Sequence, residues 1–143
     1  MLDALARSGG ERDTSYGDDA VTARLRNRTR EVFEHADAQI FPVVTGTAAN
    51  ALALSAMCKP WGSVLCHESA HIANHEAGAT SHLSGGAVLQ HVAGTNGTIN
   101  AKALATTFEQ TWWGDPHVSQ PQALSLVCPT DLGTVPPLEQ IKE

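Results

Sequence analysis

The sequence predicts an α/β fold with a largely parallel sheet. Short apolar or β-branched runs alternate with stretches of helical length and pattern, as in βαβ units. Two of these runs end in turns rich in polar side chains, and ligands of open α/β sheets gather at the C-terminal ends of strands. At 143 residues the chain has room for one domain with a real core.

The elements follow in order. Met1 to Arg7 reads as a short helical fragment, with Ser8-Gly9-Gly10 as its stop. Tyr16-Gly17-Asp18-Asp19 makes a turn, and Asp18 or Asp19 is placed to cap an amphipathic helix over about 20–35 that carries Val21, Leu25 and Val32. Val43 and Val44 suit a short buried strand that breaks at Thr45-Gly46-Thr47, after which Ala48 to Leu54 suits a helix. Ser63 to Cys66 is a second strand, with His67-Glu68-Ser69-Ala70-His71 at its end. Ala87 to Val92 is a third, followed by a turn over Gly94 to Gly97. Ala101 to Trp112 reads as a helix with Leu104, Phe108 and Trp112 in one row. Ala123 to Cys128 is a fourth strand, Pro129 to Thr134 its loop, and Pro136-Pro137 opens a last helix.

Composition narrows the function. Charged residues are 17% and hydrophobic residues 42%, the balance of a soluble globular chain rather than a disordered one. A net charge of −6 argues against a nucleic-acid binder, whose footprint is basic. No run approaches a membrane span and no signal peptide is visible. Cys58, Cys66 and Cys128 are odd in number and lack CxxC spacing, which fits reduced thiols in a cytoplasm.

Two features carry chemistry. A strand running through Gly46-Thr47 into a helix leaves free N–H groups and the positive end of the helix dipole, a ready phosphate site. The plain structural reading of the pair is a tight turn with Thr47 as N-cap. His67-Glu68-Ser69-Ala70-His71 fits the HExxH pattern, in which two histidines on one helix face bind zinc and the glutamate acts as base. Its position directly after a strand favours instead a reading of His67 and His75 as polar residues near a strand end. The phosphate turn and the histidine cluster are expected to face the same crevice.

Taken together and in order, YGDD at 16–19, FPVVTGTAANALAL at 41–54, CHESAHIANHEAG at 66–78 and SLVCPTDLGTV at 125–135 resemble the threonine aldolase family and its β-eliminating lyase relatives. The resemblance covers nearly the whole chain. It implies a partial three-layer α/β/α fold of the pyridoxal-phosphate-dependent transferase (fold type I) kind, with residues 1–143 an incomplete large, cofactor-binding domain. The family's N-terminal segment and C-terminal half are then absent. It implies cleavage of β-hydroxy-α-amino acids to glycine and an aldehyde, with pyridoxal 5'-phosphate as cofactor. Partners would be an amino acid and further copies of the chain in a homo-oligomer, with no nucleic acid and no membrane.

Residue by residue, Gly46 and Thr47 match the phosphate turn, and His71 matches the histidine that stacks on the pyridine ring and assists proton transfer. Tyr16 lies in the block that reaches an active site across a dimer interface. Thr130 and Asp131 match a cofactor-flanking loop where relatives often carry histidine or glutamate. Glu76 matches a family glutamate without a physical role to assign. The family also needs a lysine to hold the cofactor as an imine and an aspartate beneath the pyridine nitrogen. Lys59, Lys102 and Lys142 stand in no matching context, so the 143 residues are expected to be inactive alone. Trp61, Trp112 and Trp113 are then expected to lie exposed. The alternatives are a zinc hydrolase using His67, Glu68 and His71, and a structural or interaction remnant of the fold.

Overall fold

The computed structural model describes residues 1–8 and 14–142, without the side chains of Leu5 and Ser8. It divides into two compact units, Met1–Pro42 and a second that starts at Val43. The expected stop at Gly9-Gly10 lies outside the described residues.

The first unit holds α1 (Leu2–Ser8) and α2 (Ala20–Val32). Asp19 caps α2 from extended backbone. Its Oδ1 accepts the Thr22 N–H at 2.7 Å and its Oδ2 the Thr22 hydroxyl at 2.6 Å. The helix ends at Val32 rather than His35, because Glu34 takes a left-handed φ of 51° that no helix continues through. Upstream of the cap, Tyr16 and Gly17 are both left-handed, at φ 66° and 82°, and the Gly17 carbonyl accepts from Arg26 at 3.1 Å. Val21, Leu25 and Val32 are all exposed.

In the second unit, α3 (Gly46–Met57) leads into β1 (Gly62–His67), and α4 (His71–Asn74) and α5 (Ala79–Leu83) follow. Next come β2 (Val88–Val92), a hairpin of β3 (Gly94–Thr95) and β4 (Thr98–Ile99), and α6 (Ala101–Gln110). The last elements are β5 (Gln120–Leu124) and α7 (Leu138–Lys142). The main sheet is parallel, in the order β2-β1-β5. β1 is therefore bonded on both edges, and all six of its residues are buried. The apolar run Val64-Leu65-Cys66 at its centre has that cause.

The core sits on one face of β1. Val64 and Cys66 pack with Leu54 of α3 and Cys58 just after it, with Ala70 and Ile72, and with Ala87 before β2. Helix α3 also packs on α5, and α6 lies against β2. On the other side of β1 the Ser63 hydroxyl donates to Gln90 Oε1 of β2 at 3.2 Å and lies 3.3 Å from the carbonyl of Ser119, the residue before β5. Gly94 is glycine for space: a Cβ there would collide with the Thr98 carbonyl and the His67 ring. The hairpin thus closes directly over His67.

Three expectations are corrected. Val43 and Val44 form no strand; Val44 is 96% exposed, and no described strand runs beside the pair to accept its backbone bonds. The last strand runs over 120–124, not 123–128. Pro121 sits inside it, tolerated because β5 is an edge strand and because the register slips between Ser63 and Val64, leaving Gln122 as a bulge. The Gln122 side chain turns back to accept the Lys59 N–H at 2.7 Å. Helix α6 stops at Gln110, so the row through Trp112 breaks. Trp112 takes a φ of 46°, and Phe108 stacks on Trp113 at 5.4 Å instead. Trp61, Trp112 and Trp113 are exposed as expected. Among the described residues no helix is long and apolar enough to cross a membrane.

Candidate functional site

The turn expected to bind phosphate is the N-terminus of α3. Thr45, not Thr47, is the N-cap: it is extended (φ −144°, ψ 158°) and its hydroxyl oxygen accepts the Ala48 N–H at 3.1 Å. Gly46 and Thr47 occupy the first turn, where N–H groups have no acceptor within the helix. No atom stands within 4 Å of where a Gly46 side chain would start, so the turn is open on that side. Thr47 is left with an amide and a hydroxyl that the cap does not use.

The histidine cluster leaves β1 in two directions. His67 is the last residue of the strand and is buried. Its Nδ1 accepts the Ser69 N–H at 3.0 Å, which makes Nε2 the protonated nitrogen, and Nε2 is buried without a partner. Glu68 and Ser69 form the turn and His71 opens α4, so the two histidines of the HExxH match share no helix face. The zinc reading fails on that geometry. Among the described residues no three His, Cys, Asp or Glu side chains come together as a metal site.

His71 is held from below. Its Nδ1 lies 3.0 Å from Oε1 of Glu76, whose side chain is fully buried, while the imidazole is 42% exposed. The same Oε1 accepts from Asn50 Nδ2 at 2.7 Å. Asn50 belongs to α3, one turn beyond Thr47, so α3 and the half-exposed imidazole are joined through one buried carboxylate. The His75 ring lies 5.6 Å from that of His71, tilted by 50°.

The family model for beta-eliminating lyases matches residues 1–143. The chain belongs to the beta-eliminating lyase family. The low specificity L-threonine aldolase of Pseudomonas aeruginosa is 33% identical over 139 residues, which are 97% of this chain and 39% of that protein. The low-specificity L-threonine aldolase of Candida albicans is 32% identical over 135 residues, 92% of this chain and 34% of that one. A solved structure of Leishmania major threonine aldolase superposes with a TM-score of 0.86 at 24% identity, over 98% of this chain and 40% of that one. The fold is therefore the threonine aldolase fold, and this chain spans about 39% of the length of its Pseudomonas relative.

Within this lyase-family chain the remaining candidate residues fall elsewhere. Thr130 is buried and its hydroxyl is spent on the chain itself, lying 3.3 Å from the Asn96 carbonyl and accepting the Thr134 N–H at 3.1 Å. Thr130 and Asp131 line a cavity of about 150 Å³ with His67, Ser69, Thr98 and Gln140, and His71 is not among its walls. Tyr16 lies in the first unit with a fully exposed side chain. The sequence reading missed Asn50. The available signal was its isolation: it is the one polar residue in the run Ala48 to Leu54.

Proposed function

We propose that this chain carries the phosphate turn and the ring-facing histidine of a pyridoxal-phosphate enzyme that cleaves β-hydroxy-α-amino acids to glycine and an aldehyde. The observation that carries the reading is the Asn50–Glu76–His71 connection, which fixes a half-exposed imidazole to the helix whose open N-terminus suits a phosphate. The threonine aldolase names of the relatives support the reaction class.

The residues present fit a phosphate-bearing aromatic cofactor. The amides of Gly46 and Thr47, with the Thr47 hydroxyl, would donate to the phosphate, and the helix dipole adds to their pull. His71 would lay its exposed face against the ring and hold it flat. Bound there, pyridoxal phosphate would supply the electron sink for breaking the bond between the α and β carbons of the substrate. His71 Nε2 is the nitrogen free to take or give a proton at the substrate. Tyr16, fully exposed on left-handed backbone, is suited to complete the site of a second copy in a homo-oligomer. Thr130 and Asp131 shape the neighbouring loop towards the amino acid substrate. The cysteines, all free, favour a reducing, cytoplasmic setting.

Lys59 lies over the Trp61 ring, Lys102 is on α6, and Lys142 pairs with Glu139. None is bonded to His71, Glu76 or Asn50, so residues 1–143, as an incomplete cofactor-binding domain, bind the cofactor without turning over substrate. Titration with pyridoxal phosphate, followed by absorbance and then borohydride trapping with peptide mass analysis, tests this. Saturable binding that is weakened in Thr47→Ala and His71→Ala, with no specific lysine trapped, is the expected result. Absence of saturable binding would overturn the cofactor reading, and specific trapping at Lys59, Lys102 or Lys142 would overturn the inactivity.

A further inference from the structure

Glu76 is an unusual residue to bury. Its side chain has no exposure at all, one carboxylate oxygen serves two neighbours, and the other, Oε2, is buried with no partner. Removing a carboxylate from water and leaving half of it unbonded is costly. A residue selected for stability alone would be apolar here, and the core beside it shows that apolar residues are available. The arrangement makes sense through what Oε1 touches.

A carboxylate only accepts. Asn50 Nδ2 donates to Oε1, and the His71 contact at 3.0 Å then requires that Nδ1 carry a hydrogen. On the neutral ring this puts the lone pair on Nε2. His67, four residues earlier, has the opposite arrangement, with Nδ1 accepting from the Ser69 N–H. Two histidines of one cluster are thus held in opposite tautomers by different partners. Asn50, donating to the same Oε1, anchors the carboxylate to α3.

We propose that Glu76 is a positioning residue: through Oε1 it locks His71 in the Nδ1–H tautomer and fixes the plane of its ring relative to α3. Nε2 is then presented as a proton acceptor. The inference deepens the functional reading above, since a fixed ring plane and a free Nε2 are what a cofactor-facing base needs. It makes its own claim about the unliganded chain.

The test is nitrogen NMR of the His71 imidazole in the folded chain without cofactor, with the ring neutral. Wild type is expected to show the Nδ1–H form over the Nε2–H form by tenfold or more, about 1.4 kcal/mol. Glu76→Ala is expected to lose that preference, while Glu76→Gln, which keeps an amide oxygen for both donors, retains it. Circular dichroism confirms that each variant is folded. If Glu76→Ala does not fold, the wild-type spectrum and the Glu76→Gln comparison still decide. A wild-type His71 in the Nε2–H form would overturn the proposal, as would an unchanged tautomer in a folded Glu76→Ala. Pyridoxal phosphate binding with the wrong tautomer would sink this inference and leave the functional reading standing. The right tautomer without cofactor binding would do the reverse.

Discussion

Thr45 and Thr47 flank one glycine; Thr45 caps α3, and Thr47, whose hydroxyl the cap does not use, is the proposed phosphate ligand. Thr45→Ala removes the hydroxyl that accepts the Ala48 N–H at 3.1 Å. Loss of such a cap costs about 1 kcal/mol, and Thr45 is exposed, so water partly replaces the bond and holds the cost near that value. With a urea slope of about 2 kcal/mol per molar, the midpoint should fall by roughly 0.5 M. Thr47→Ala removes a hydroxyl the cap does not use and puts a better helix former in the first turn. Its stability should be unchanged or higher by up to about 0.5 kcal/mol. Binding should reverse the order. A hydrogen bond to a charged phosphate is worth about 1.5–3 kcal/mol, so Thr47→Ala should weaken pyridoxal phosphate or inorganic phosphate by roughly 10–100-fold. Thr45→Ala should weaken it far less. Urea unfolding followed by circular dichroism and calorimetric titration measure the two effects. Equal destabilisation by both variants, or a binding loss confined to Thr45→Ala, would refute the assignment.

The other predictions concern the frame around the site. Leu65, 1% exposed in the centre of β1, should lose about 3–4 kcal/mol on replacement by alanine: about 0.8 for each of three carbons plus a cavity term. A loss under about 1 kcal/mol in urea melts would show that β1 is not the core strand. Hydrogen bonds from Thr22 hold the Asp19 carboxyl below its ordinary 3.8. Its support of α2 is therefore complete above that value and disappears as pH falls through the lowered one. The acid-induced loss of helix should be blunted in Asp19→Asn, and an identical acid profile would contradict this. Burial pushes the Cys58 and Cys66 thiols above their ordinary 9.0, whereas Cys128 is exposed. Alkylation of the native chain at about pH 8 should modify Cys128 first, and rapid labelling of Cys66 would show that β1 opens readily.

The frame was legible in the sequence wherever local pattern decides structure. Val64, Leu65 and Cys66 run without alternation because β1 is bonded on both edges and all six of its residues are buried. β5 was displaced because Pro121 reads as a breaker, and only the bulge at Gln122 and the edge position make room for it. Val43 and Val44 have strand chemistry, but a strand exists only beside another, and that neighbour is a tertiary fact. The same limit hid the Glu76 network. Histidine and glutamate five apart are unremarkable in a sequence, and Asn50 stands 26 residues from Glu76. The three come together only once α3 has packed against α5. Gly46, Thr47 and His71 were expected from family resemblance and, for the first two, the helix-terminus argument, and the cap was expected two residues too late, at Thr47 rather than Thr45, because the two side chains are chemically identical.

The double bonding of β1 also sets a timetable for solvent. Its amides reach water only when the whole sheet opens, so residues 63–66 should exchange hydrogen for deuterium last. The open N–H groups of Gly46 and Thr47, at the other end of the Asn50–Glu76 link, should exchange almost at once. His71 therefore hangs between the slowest clock in the chain and one of the fastest. A ligand settling on α3 would then slow the fast end without disturbing the slow one.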